Sequence, residues 1–334
     1  MSRPHTTLRS PAVIAHRGAS GYLPEHTREA KVLAHGQGAD YLEQDVVATR
    51  DGHLVVFHDL HLDDVTDVAT KFPERRRPDG RHYVIDFDLE ELLSLRVVER
   101  RAPGTGRSVY PERFTDESVA FRIVPLDEEL RLIRELNRTT GRTTGIYPEL
   151  KAPQFHRRHG VDLARSLLET LARHGFTEPD DPVIVQCFDA VELARCRREL
   201  GTRVRLAQLV DTDAPPDAYS PRTLAAVAAY ADVLAPPWTA LIEATTESPR
   251  SRPEIAASVE EARKAGLELH PFTFRKETVP ECFESFEAQL EFFFAEIGVS
   301  ALFCDQPDIA VRVRDALTAR GSGGPETPDK GRGG

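Results

Sequence analysis

Tyr41-Leu42-Glu43-Gln44-Asp45-Val46-Val47 reads as a buried strand that carries two carboxylates, with Leu54-Val55-Val56-Phe57-His58-Asp59 as its hairpin return. Strand side chains alternate between faces, so Glu43 and Asp45 point one way while Leu42 and Gln44 point the other. Two carboxylates side by side in an apolar strand repel each other and are costly to bury. A hard divalent cation such as Ca²⁺ or Mg²⁺ would remove both problems. On these residues alone, a solvated edge strand or a carboxylate pair balanced by arginine serves equally well.

Outward from this stretch, short apolar runs alternate with helical periodicity. Val13-Ile14-Ala15-His16 is the first strand, and Thr27 is placed to cap a helix ending at Gly36 or Gly38. The rhythm resumes at Leu126. Further strands are expected from about residues 145, 183, 204, 232, 267 and 301, each followed by a helix or a helix-sized gap. Among these helices, Asp189 and Glu192 form a capping-box pair, Pro253 opens a helix that Gly266 closes, and Phe286 to Ile297 is a Phe-rich helix.

Eight strand–helix units over about 300 residues fit an α/β fold of the (β/α)₈ TIM-barrel type better than an open doubly wound sheet. The first strand is followed by no Gly-rich phosphate fingerprint, which argues against a dinucleotide or P-loop fold. Residues 61–121 break the alternation and read as an insertion too poor in core positions to be an independent domain. Its arginines, including Arg75, Arg76, Arg77 and Arg81, read as solvated surface. The organisation expected is an N-terminal extension over 1–10, a barrel domain over 11–318, and a Gly/Pro/polar disordered tail over 319–334.

The 334 residues are 40% hydrophobic and 29% charged, which suits a globular protein with a sizeable core. A formal net charge of −11 excludes a broad nucleic-acid footprint. No run of about 18 apolar residues spans a membrane, and the N-terminus shows no secretory signal. The expectation is cytoplasmic if the start is the true one, and periplasmic or extracellular if the N-terminus is trimmed. The four cysteines show no CxxC spacing and identify no disulfide. The composition leaves a homodimer open.

In a barrel, chemistry gathers at the C-terminal ends of the strands. Those ends carry His16-Arg17-Gly18, Glu43 and Asp45, His58-Asp59 after the hairpin, Glu149-Leu150-Lys151, Gln186-Cys187-Phe188, His270-Pro271-Phe272 and Asp305. Glu43, Asp45 and Glu149 supply three carboxylates for one divalent cation. His16 and His58 titrate near neutrality and suit general acid–base work. Arg17 and Lys151 add the permanent positive charge a phosphate needs. Phe188, Trp238 and Phe272 are candidates for the wall of a substrate pocket.

His16-Arg17-Gly18-Ala19-Ser20-Gly21-Tyr22-Leu23-Pro24-Glu25-His26-Thr27 resembles the HRG…PE(N/H)T signature of glycerophosphodiester phosphodiesterases. Leu42 to Val46, Val56 to Asp59 and Tyr147 to Lys151 match the family's E-x-D, HD and E-x-K elements in order. The chain looks closest to the bacterial periplasmic-type branch, given HLDDVTDVATKFPER at residues 61–75 and the Gln-Cys-Phe-Asp strand exit. The resemblance implies a TIM barrel and metal-dependent hydrolysis of small-molecule glycerophosphodiesters to sn-glycerol 3-phosphate and an alcohol. It also implies Glu43, Asp45 and Glu149 as metal ligands, His16 and His58 as the acid–base pair, and Arg17 and Lys151 as phosphate contacts. Glu25 falls on a motif glutamate, read as a substrate-site residue that orients a neighbour or caps the Thr27 helix. Cys304 departs from the family's glycine-rich last strand. Rival readings are a phospholipase-type phosphodiesterase on the same barrel and a phosphodiester-binding protein without turnover.

Overall fold

A computed structural model of the chain describes residues 10–243 and 251–322. The sequence expectations about the N-terminal extension and most of the C-terminal tail fall outside these residues. Eight parallel strands form the barrel: β1 Ala12–Ala15, β2 Tyr41–Ala48, β3 Gly145–Leu150, β4 Ile184–Cys187, β5 Arg205–Leu209, β6 Val233–Ala235, β7 Glu268–Leu269 and β8 Ala301–Cys304. They pair in the order β7-β6-β5-β4-β3-β2-β1-β8. Backbone hydrogen bonds from Ser300 to Leu269 (3.1 Å) and from Phe303 to Pro271 (3.0 Å) close the ring between β8 and β7. The β7 ladder is short because Pro271 lacks an N–H to donate. The segment expected as one strand from Leu267 to Phe274 therefore continues past Leu269 only as single parallel bridges, Phe272 to Pro237 and Phe274 to Cys304.

The helices behind the strands are α1 Arg28–Gly36, α2 Leu126–Thr140, α3 Leu163–Arg173, α4 Ala190–Arg198, α5 Pro221–Ala228, α6 Ala257–Lys264, α7 Phe286–Glu291 and α8 Pro307–Ser322. Thr27 caps α1 as expected, accepting from the Ala30 amide. Four local expectations change. Asp189 caps α4, but Glu192 turns to Arg157 and Arg195 instead of completing a capping box. Pro253 does not open α6; Glu254–Ile255 pair with Ile242–Glu243 first, and the helix starts at Ala257. The Phe-rich helix divides into α7 and a π-helical turn over Phe292–Ile297. The closing helix continues to Ser322, past the boundary at 318 drawn from composition.

Strand alternation sorts the core into two layers. Val13, Leu42, Val46, Ile146, Val185, Leu206, Leu234 and Leu302 face the helices. Ile14, Tyr147, Ile184, Ala207, Val233 and Phe303 fill the barrel. The inward parity of β2 and β3 therefore includes Glu43, Asp45 and Glu149, all 6% exposed or less.

The insertion is not poor in core. Leu62, Val65, Val68, Phe87, Leu92, Val97 and Phe121 form an apolar cluster with Val47, Val55 and Phe57 of the hairpin. These residues follow no helix or strand period, so composition conceals them. Leu54–Val56 runs antiparallel to β2, and Val124–Pro125 antiparallel to it in turn, giving the insertion a small sheet to pack on. The basic stretch fastens the insertion to itself: Arg75 pairs with Glu91, Arg77 with Asp86 and Arg81 with Asp64.

Candidate active site

At the C-terminal rim a cavity of about 330 Å³ is lined by His16, Arg17, Glu43, Asp45, His58, Glu149, Lys151, Phe188, Trp238 and Phe272, and also by Gln186 and Arg275. The rim thus brings together every residue given a role at the site except Glu25, while His270, expected at a strand end of this rim, turns to the Tyr147 hydroxyl and Glu268 instead.

The chain turns sharply after β1. Arg17 and Gly18 take φ values of 58° and 87°, and a Cβ on Gly18 would lie 2.9 Å from the Ala30 carbonyl carbon. Glycine is required there, and the turn sends the Arg17 amide to Glu43 Oε2 at 2.6 Å. His58 is placed by the hairpin, whose Phe57 amide donates to the Asp45 carbonyl at 2.8 Å.

Each histidine is held from behind. His16 Nδ1 lies 2.7 Å from Asp305 Oδ1, and His58 Nδ1 lies 2.5 Å from Asp59 Oδ1. An ionised carboxylate only accepts, so Nδ1 carries the proton and Nε2 is the free nitrogen in both rings. Burial, reinforced by Arg17, lowers the His16 pKa to about 4. Burial, then Arg17 and Lys151, lowers His58 as well. Asp305 stays ionised: burial opposes this, but Arg275, His16 and Arg113 outweigh it.

The carboxylates divide by environment. Burial and the charge of Asp45 push Glu43 well above the usual range, and burial pushes Glu149 up to about 8. Burial works the same way on Asp45, yet Lys151, His58 and His26 hold it well below its usual value. Lys151 Nζ stands 2.8 Å from Glu149 and 3.4 Å from Asp45. Asp45 Oδ1 is buried and makes no hydrogen bond among the described residues, with Lys151 Nζ standing off at 3.4 Å. Three buried carboxylates crowded together, one with an oxygen that makes no hydrogen bond, suit a hard divalent cation.

Glu25 takes the first of its two expected places, beside a neighbour and not at a helix cap: Arg17 Nη1 reaches both its oxygens, at 2.9 and 3.0 Å, and Arg100 grips it from the other side, so it stands behind Arg17 and not in the cavity lining.

Several rim residues escaped the sequence reading. His26 donates from Nε2 to Asp45 Oδ2 at 2.6 Å, and a donor atom of each of His26, Glu43 and Asp45 lies within 4.8 Å of the others. Glu149 is not among that closest group; its carboxylate lies 2.8 Å from Lys151 Nζ. Gln186, read from the sequence only as part of a strand end and given no role, donates from Nε2 to Glu43 Oε1 at 3.3 Å. Arg275 donates to Asp305 Oδ2 at 2.8 Å. Arg100 and Arg113, both from the insertion, carried no signal. Phe188 and Phe272 meet edge to face at 6.0 Å and, with Trp238, form an apolar wall facing the charged one.

Residues 16–309 match the family model described as the glycerophosphoryl diester phosphodiesterase family. A glycerophosphodiester phosphodiesterase of Haemophilus influenzae is 41% identical over 322 residues, covering 90% of this chain and 88% of the relative. One from Treponema pallidum is 38% identical over 328 residues, covering 90% of each. A phosphodiesterase of Oleispira antarctica, solved with its product sn-glycerol-3-phosphate, shares the fold at a TM-score of 0.62 and 22% identity. That match covers 92% of this chain and 97% of the other. Among the described residues no helix is long and apolar enough to cross a membrane. With the HRG, E-x-D, HD and E-x-K segments brought to one rim and the match running nearly end to end, the chain belongs to the glycerophosphoryl diester phosphodiesterase family.

Proposed function

We propose that the rim cavity hydrolyses glycerophosphodiesters, such as glycerophosphocholine and glycerophosphoethanolamine, to sn-glycerol 3-phosphate and an alcohol. The observation that carries this reading is the pair of Nδ1-anchored histidines lining one cavity with Arg17, Lys151 and three buried carboxylates. A protein that only binds phosphodiesters has no use for two imidazoles fixed in this way.

Arg17 and Lys151 bind the non-bridging phosphoryl oxygens and stabilise the charge that grows on them as the phosphorus is attacked. The attacking oxygen comes from water, giving sn-glycerol 3-phosphate directly, or from the substrate's own glycerol 2-hydroxyl, giving a cyclic phosphate that water then opens in a second step. One imidazole Nε2 takes its proton, and the other imidazole, as imidazolium, gives a proton to the departing alkoxide. Asp305 and Asp59 keep the rings in the required tautomer. Glu43, Asp45 and Glu149 would hold one divalent cation, Ca²⁺ or Mg²⁺, which when bound supplies Lewis-acid stabilisation of phosphoryl charge. Phe188, Trp238 and Phe272 offer the apolar surface against which the glycerol carbons or the head group pack.

The test is glycerol 3-phosphate release from glycerophosphocholine by chelator-stripped protein, with and without added Ca²⁺ or Mg²⁺. Turnover restored only by the ion is the expected result. Full activity after stripping would remove the cation, and no turnover of any glycerophosphodiester with either ion would remove the substrate class.

A further inference from the structure

The chemistry above makes no use of the insertion, yet two of its arginines end at the rim. Arg100 donates from Nη1 to Asp59 Oδ2 at 2.7 Å and spans Glu25 with Nε at 2.9 Å and Nη2 at 2.6 Å. Arg113 donates from Nη2 to Asp305 Oδ2 at 2.7 Å, from Nε to Glu277 at 2.9 Å, and from Nη1 to the Ser20 carbonyl at 3.1 Å. Each aspartate spends its other oxygen on a histidine Nδ1. The same three-part chain, arginine to aspartate to imidazole, therefore occurs twice, and both arginines come from residues 61–121.

We propose that Arg100 and Arg113 are positioning residues through which the insertion fixes both acid–base imidazoles. A carboxylate gripped at one oxygen by a guanidinium cannot swing, so the ring on its other oxygen is held in plane and register. The side chain of Arg113 is only 5% exposed and that of Arg100 20%, so neither is the solvated surface arginine its sequence context suggests. Arg100 does more than Arg113. Through Glu25 it also steadies Arg17, whereas Asp305 keeps a second cation, Arg275, if Arg113 is lost.

This inference rests on the hydrolase reading for its kinetic arm alone. The experiment compares Arg100→Lys and Arg113→Lys, which keep the charge and lose the fork, with Arg76→Ala, an exposed position in the same insertion. Thermal melts verify folding, and Arg100→Ala and Arg113→Ala are added where they fold. Steady-state kinetics on glycerophosphocholine should show kcat down on the order of 10²-fold for Arg100→Lys and about tenfold for Arg113→Lys, with KM little changed. Arg76→Ala should match wild type.

Long-range ¹H–¹⁵N spectra of ¹⁵N-histidine protein supply a readout that needs no turnover. Arg100→Lys should move the ring nitrogens of His58 and leave those of His16, and Arg113→Lys the reverse. Wild-type kcat in both lysine variants, or ring signals of both histidines unmoved in both, would overturn the clamp. A wild-type protein that cleaves no glycerophosphodiester would overturn the hydrolase reading, while the spectra would still decide the clamp.

Discussion

At the floor of the barrel Arg205 meets Glu268 at 2.8 Å, Glu268 lies 3.3 Å from His270 Nε2, and His270 Nδ1 lies 3.0 Å from the Tyr147 hydroxyl. At the rim, beyond Tyr147 and Phe303 whose rings meet at 5.0 Å, stand the same residue types: glutamates, arginines and histidines on inward strand positions. The floor is balanced. Burial would raise Glu268, but His270 and Arg205 bring it down to about 2. The rim is not, since burial and then the charge of Asp45 push Glu43 and Glu149 up even with Arg17 and Lys151 beside them. Residue type and burial do not mark a site by themselves. Unbalanced charge facing a cavity does, because a fold gains nothing from it.

The largest difference should come from the histidines. His16→Ala or His58→Ala should lower kcat on the order of 10³-fold with little loss of stability, whereas His270→Ala, which unpairs the Tyr147 hydroxyl and leaves Glu268 with Arg205 alone, should chiefly lower the melting temperature. Steady-state kinetics beside thermal melts would separate the two. Retained turnover in both rim variants breaks the comparison.

A smaller effect is expected at Glu25. Glu25→Gln leaves Arg17 and Arg100 with a neutral partner, so kcat/KM should fall about tenfold and stability by about 1–3 kcal/mol. Both follow from loosened arginines. A change in KM alone, with normal stability, would return Glu25 to direct contact with substrate.

These expectations show which parts of the molecule are legible in the chain. The strand starts were, because buried parallel strands are apolar runs with few substitutes. So was the rim, since Glu43, Asp45, Glu149 and Lys151 share one parity on neighbouring strands. Arg100 and Arg113 were not. They stand in irregular backbone among other arginines, and only tertiary packing distinguishes them from Arg75 or Arg77. The insertion core was hidden for the same reason: Val65, Phe87 and Phe121 recur with no period. His26 sat in plain view within a motif, but nothing in its spacing told that its ring would meet Asp45.

The smallest predicted effect lies away from both ends. His156 is buried and neither ring nitrogen has a hydrogen-bond partner among the described residues. Burial lowers its pKa from 6.5 to about 4. A histidine depressed on folding contributes stability that is full above its unfolded pKa and lost as pH falls from about 6.5 towards 4. His156→Leu should therefore reduce the loss of stability between pH 7 and pH 5 by on the order of 1 kcal/mol, as read from urea midpoints. An unchanged pH slope would mean that the ring is solvated in solution.

The contrast between rim and floor is tested most directly by Glu43→Gln and Glu268→Gln, measured together for turnover and for melting of the metal-stripped protein. Glu43→Gln replaces a carboxyl that burial and Asp45 already push towards its neutral form, and Gln186, whose Oε1 has no partner, can turn its amide over to accept from the new one. It should lose more than about 10²-fold in kcat while melting no lower than wild type. Glu268→Gln should keep its turnover and lose on the order of 1–2 kcal/mol. An active Glu43→Gln, or a Glu268→Gln that is stable and inactive, would contradict the account.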